Sequence, residues 1–64
     1  MDKYYEVENQ KGELLGTFFD SLDIMHFLED MDGCDWSDIV APVDEMGDGD
    51  TLSINNIFIS CFED

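Results

Sequence analysis

Thr51-Leu52-Ser53-Ile54-Asn55-Asn56-Ile57-Phe58-Ile59-Ser60-Cys61-Phe62 is the stretch that decides the fold. It carries no charge, and its apolar residues alternate with the period of two that a strand requires. At its middle, Asn55-Asn56 suits a two-residue type I′ turn. Both central positions of that turn need positive φ, which Asn tolerates better than most residues. The turn pairs Ile54 with Ile57 and Leu52 with Ile59. Leu52, Ile54, Ile57, Ile59 and Cys61 then share one face, and Ser53, Phe58, Ser60 and Phe62 share the other. Turn chemistry and hydrophobic pattern agree on an antiparallel hairpin.

The N-terminal third predicts a second hairpin. Lys3 to Glu8 and Glu13 to Phe19 are rich in Tyr, Val, Phe and Thr, and Asn9-Gln10-Lys11-Gly12 separates them. That connector fits a type I turn closed by Gly12 in the left-handed conformation and leading into a bulge. In this register Tyr5, Val7, Leu15 and Phe19 face one side. Between the hairpins the spacing predicts a helix from Ser21 to Met31. Asp20 or Ser21 caps it, Asp23 lies in the first turn where the helix dipole favours an anion, and Gly33 stops it. Ile24, Met25, Phe27, Leu28 and Met31 gather on one side of that helix, and Asp23, His26, Glu29 and Asp30 on the other.

Residues 35–43 fit a helical turn followed by a short edge strand, and the pattern leaves helix and strand both open. Pro42 argues against a central strand. Asp44 to Asp50 reads as a loop. The expected architecture is a single α+β domain over residues 1–64: a small antiparallel β-sheet of two hairpins, with one helix packed across it.

Charge points toward function. The chain has 17 acidic residues against Lys3 and Lys11, a formal net charge of -15. The acids concentrate in residues 20–50, which hold eleven of them and no base. Solubility asks for a net charge of only about 2–8 in a small domain, and the excess works against the compact state by self-repulsion. A disordered tail is not indicated, because 44% of the residues are hydrophobic and 12% aromatic. Halophilic adaptation fits poorly with five Phe and no Arg. A compact chain of this length should have a radius of gyration of about 11 Å and a diameter of roughly 28 Å. Duplex DNA of that length carries about 16 charges, nearly the charge of this chain.

The expected binding surface is therefore the carboxylates Asp20, Asp23, Glu29, Asp30, Asp32, Asp35, Asp38, Asp44, Glu45, Asp48 and Asp50. They would present acceptors to the Lys and Arg of a nucleic-acid-binding groove. Trp36 stands among them, and two roles are open to it: an interface anchor or the plug at the end of a small core.

Chemistry beyond binding is poorly served. His26 is the only histidine, and no nucleophile or oxyanion stabiliser stands at a recognisable spacing from it, so no catalytic residues are assigned. Asp44-Glu45-Met46-Gly47-Asp48-Gly49-Asp50 resembles an EF-hand loop. It departs from the pattern at Met46, where an oxygen ligand belongs, and at Asn55, where the bidentate Glu belongs. One His and two separated Cys are too few for a structural zinc site, so no metal and no cofactor is expected. Cys34 and Cys61 form no CxxC motif, and their spacing leaves open whether they meet. No apolar run approaches a membrane span. The first residues lack the basic and apolar regions of a signal peptide, so the expected location is the cytoplasm, with reduced thiols. The uncharged stretch 51–62 would be safest buried or paired with a second copy, which makes a homodimer conceivable.

In size, in the acid run through residues 20–50 and in its near absence of basic residues, the chain resembles the small acidic inhibitors of phages and mobile elements. These are DNA-mimic anti-restriction proteins, some anti-CRISPR proteins and inhibitors of uracil-DNA glycosylase. The resemblance lies in composition and carries over no residue roles. It implies a stoichiometric, non-catalytic inhibitor of a nuclease, CRISPR effector or restriction enzyme that binds no nucleic acid itself, acting in the host cytoplasm if phage-encoded. From a different class, an acidic, chaperone-like accessory partner of a basic protein is the alternative, and a weak calcium module is the third.

Overall fold

The chain ends supply the centre of the sheet. In the computed structural model, which describes residues 2–64, β1 (Lys3–Glu8) pairs with β4 (Ile57–Glu63) along its whole length. The register runs from Lys3 opposite Glu63 to Glu8 opposite Phe58. β2 (Leu14–Phe18) and β3 (Thr51–Ile54) flank them, giving an antiparallel sheet of order β2-β1-β4-β3. Between the hairpins lie α1 (Ser21–Asp32), a 3-10 turn at Ser37–Ile39 and the short α2 (Val40–Asp44). The fold is a small α+β domain as expected, with a second short helix added.

The C-terminal hairpin follows its turn chemistry. Asn55 and Asn56 have φ of 48° and 69°, and Leu52 faces Ile59 and Ile54 faces Ile57. Ile57, Ile59 and Cys61 are buried, as that alternation requires. At the N-terminal hairpin, Gly12 takes a φ of 83° and its N–H donates to the Asn9 carbonyl at 3.0 Å. Asn9 Oδ1 also accepts from the N–H groups of Lys11 and Glu13, which ties the turn to the strand that follows.

One expected facing does not hold. Phe18, not Phe19, lies opposite Tyr5, and Phe19 is 72% exposed beyond the strand end. The cause is the bulge itself: Val7 pairs with Gly16 while Glu8 pairs with Leu14, so Leu15 is the extra residue. That insertion moves every later β2 side chain by one position, and a one-residue slip exchanges the faces. Phe18 then lies over Gly16, where an added Cβ would meet its ring at 2.9 Å. It packs against Phe27 of α1 with ring centroids 5.1 Å apart.

Asp20 caps α1 by accepting from the Leu22 N–H at 3.1 Å, and Gly33 ends it at φ 73°. Ile24 and Leu28 are fully buried against the sheet's inner face. Met31 shares their stripe but, one turn past Leu28, is half exposed. No edge strand forms within residues 35–43, where the chain turns helical instead. Trp36, Ile39, Val43 and Met46 are all buried, and their spacing of three, four and three is that of a helix face. Pro42 sits inside the first turn of α2, where its missing N–H has no intrahelical acceptor to lose.

Candidate charged interface

α1, the 3-10 turn, α2 and their connecting loops make one layer over the inner face of the sheet. Nine of the eleven acids of residues 20–50, from Asp20 to Glu45, belong to that layer. Asp48 and Asp50 border the sheet, where the Gly49 N–H donates to the Cys61 carbonyl and the Cys61 N–H to the Asp50 carbonyl, both at 2.9 Å. Lys3 is on β1, and Lys11 is in the first turn. The layer's own residues include no base, but Lys3 projects from the inner face of β1 and its Nζ donates to the Asp44 carbonyl at 3.4 Å, which sets one cation against the end of α2.

Seven of the eleven carboxylates are held by donors of the chain itself. Asp20 accepts from Leu22 N–H, Glu29 from Trp36 N–H at 3.1 Å, and Asp35 from Ser37 N–H at 2.9 Å. Asp32 takes both the Cys34 N–H at 2.9 Å and the Trp36 indole N–H at 2.9 and 3.0 Å. Asp44 accepts from the buried Ser21 hydroxyl at 2.6 Å. Asp48 accepts from Glu63 N–H at 3.0 Å, and Asp50 from Gly47 N–H at 2.8 Å. For Asp20, Asp32, Asp35 and Asp50 the bond is local, because a short Asp side chain reaches backbone donors two or three residues away. Glu29, Asp44 and Asp48 instead join segments seven to 23 positions apart. Asp23, Asp30, Asp38 and Glu45 stand exposed without such anchoring, so the expected surface divides into seven anchored and four unanchored carboxylates.

Anchoring leaves the charge in place. The Trp36 indole and the Cys34 N–H stabilise the ionised form of Asp32 and hold its carboxyl below the usual carboxylate range. The N–H and hydroxyl of Ser37 do the same for Asp35. Trp36 is 5% exposed, so its ring is the core plug. Its two N–H groups, bonded to Glu29 and Asp32, fasten the loop after α1 to the end of the helix. His26 lies on the exposed side of α1.

Asp44, Asp48 and Asp50 turn to three separate donors instead of converging, and Met46 is taken up by the core. Among the described residues no group of three or more His, Cys, Asp or Glu is arranged to hold a metal ion. Cys34 is exposed and Cys61 buried, both as free thiols, and burial pushes the Cys61 thiol up. No helix among the described residues is long and apolar enough to cross a membrane.

The radius of gyration is 10.8 Å, but the molecule is a slab of 33 × 24 × 15 Å between Cα atoms and not a sphere. A net charge of -15 along a 33 Å axis is one charge per about 2.2 Å, against roughly 1.7 Å for duplex DNA.

A second feature escaped sequence reasoning. The outer face of the sheet, away from the helices, carries Tyr4 stacked on Phe62 with ring centroids 5.3 Å apart, and Phe19 beside Tyr4 at 6.4 Å. The signal available was Phe58 and Phe62 sharing the face of β4 opposite Ile57, Ile59 and Cys61. Compared with protein-family models, curated proteins and solved structures, the chain matches none of them.

Proposed function

We propose that the protein is a non-catalytic inhibitor that mimics nucleic acid and occupies the basic groove of a host defence protein or another DNA- or RNA-handling protein. The observation that carries this reading is the run of residues 20–50, with eleven acids, no base, and seven carboxylates held in place by the chain's own donors. A charge that serves only solubility works equally well on mobile side chains. A groove built for phosphates at fixed positions favours acceptors that are already fixed, because little side-chain entropy is lost when they are engaged. Each anchored carboxylate retains lone pairs for a Lys or Arg of the partner. The long-range field of -15 attracts a basic partner and accelerates the encounter.

Capture from host lysate on the immobilised protein, eluted in salt steps and then by duplex DNA, tests the reading. It expects one nucleic-acid-binding protein that survives moderate salt and is displaced by DNA. A smear of basic proteins released together as salt rises refutes it and leaves the acidic accessory role in its place.

A further inference from the structure

The helices cover only one face of the sheet, and the other is built unlike an ordinary solvent face. Tyr4 and Phe62 lie directly opposite each other on the two central strands and stack with an interplanar angle of 23°. Phe19 extends the aromatic surface past β2 and is 72% exposed. Two residues along β1 on the same face comes Glu6, between Thr17 and Ser60 of the neighbouring strands. Two further on, Glu8 lies opposite Phe58, which is 40% exposed. The order along the face is thus aromatic, carboxylate, aromatic, with about 7 Å between successive same-face positions. Neither lysine belongs to it. Lys3 alternates to the inner side, with its Nζ 5.7 Å from the Tyr5 ring centroid, and Lys11 is in the turn.

An aromatic face invites a partner. A second copy of this chain is a poor occupant, because a two-fold contact would bring two bodies of net charge -15 together with Glu6 and Glu8 of both copies inside it. Anionic lipid and nucleic acid are repelled for the same reason. The complementary occupant is a cation with a flat apolar surface. A guanidinium is that group: it stacks on aromatic rings and donates in a fork to a carboxylate, here Glu6.

We propose that this face docks an arginine-bearing segment of a protein partner, with a guanidinium stacked on Tyr4 and Phe62 and hydrogen-bonded to Glu6. The proposal rests on the reading that the partner is basic, and it gives that partner a second contact on the side of the molecule opposite the helix layer.

The test is an amide-resolved NMR titration with a capped Gly-Arg-Gly-Arg-Gly peptide in about 0.5 M NaCl, where the Debye length is below 10 Å and surface charge is largely screened. Shifts are expected at Tyr4, Glu6, Ser60 and Phe62, with the lysine analogue binding at least threefold more weakly. Glu6→Gln and Phe19→Ser should each weaken the arginine peptide by fivefold or more. Both positions lie outside the buried core, and circular dichroism checks that each variant is folded. Shifts confined to residues 20–50, or unchanged affinity in both folded variants, overturn the proposal. So does self-association through the same residues in sedimentation runs. Lysate capture that yields no nucleic-acid-binding protein would sink the mimicry while leaving this peptide result to stand or fall separately.

Discussion

Raising the salt concentration should stabilise this protein strongly. With a radius of gyration of 10.8 Å, the folded chain is equivalent to a sphere of about 14 Å radius carrying a net charge of -15. In water that charge has a self-repulsion of roughly 33 kcal/mol, which screening reduces to roughly 14 at 0.1 M salt and 6 at 1 M. The unfolded chain, with a radius of gyration of about 24 Å, retains only roughly 4 and 1 kcal/mol under the same conditions. Folding therefore costs about 10 kcal/mol of repulsion at 0.1 M and about 5 at 1 M, a gain of about 5 kcal/mol as an upper limit. Ion binding and proton uptake lower it, but even 2 kcal/mol raises Tm by about 8–16 °C in a domain of this size. The assay is thermal unfolding followed by circular dichroism across a NaCl series, repeated in KCl. The expected result is a rise of at least about 8 °C between 0.1 and 1 M, equal in the two salts and levelling off as the Debye length shrinks. A Tm that stays flat or falls would refute the reasoning and imply that the charge is neutralised locally.

Three further outcomes follow from particular side chains. Trp36→Ala empties a core position and frees the loop after α1, so urea unfolding should report a loss of about 3–5 kcal/mol, much of the roughly 3–10 expected for the whole domain. A loss below about 1 kcal/mol would remove Trp36 from the core account. Asp32 has a folded pKa lowered from its ordinary value of 3.8, so the unfolded state binds its proton more readily and the stability it contributes is present above that value. The stability gap between the protein and Asp32→Asn should accordingly shrink as pH falls through 3.8 toward the folded pKa in denaturation series, and a gap that widens toward acid contradicts the sign. A thiol reagent should modify Cys34 at once in the native protein but Cys61 only at the rate of opening, since Cys61 is fully buried and its thiol is pushed up. Two fast equivalents in peptide mapping would contradict that burial.

The two hairpins and the long helix were legible because each carries its own local instruction. Asn55-Asn56 specifies both turn and register, and Asp20 and Gly33 bracket α1. The facing of Phe18 was not, because a single inserted residue, Leu15, reverses the faces beyond it. α2 was obscured by Ile39-Val40-Ala41-Pro42-Val43, which reads locally as an edge strand. Its helical period emerges only when Trp36 and Met46 are counted with Ile39 and Val43. The acidic surface was visible in composition, whereas its division into anchored and unanchored carboxylates depends on loop geometry. The clearest case is Asp48, whose carboxylate holds the N–H of Glu63 from fifteen positions away. The aromatic face arises from β1 pairing with β4, a contact between the two ends of the chain that no local pattern encodes.

The most direct test of mimicry is an equilibrium competition. The captured nucleic-acid-binding protein is purified and titrated with this protein at several fixed concentrations of duplex DNA. The account predicts that the apparent Kd rises in proportion to DNA concentration, with no ternary complex at saturation, because both ligands need the same groove. An apparent Kd indifferent to DNA, or a stable ternary complex, would place the contact elsewhere and contradict the claim.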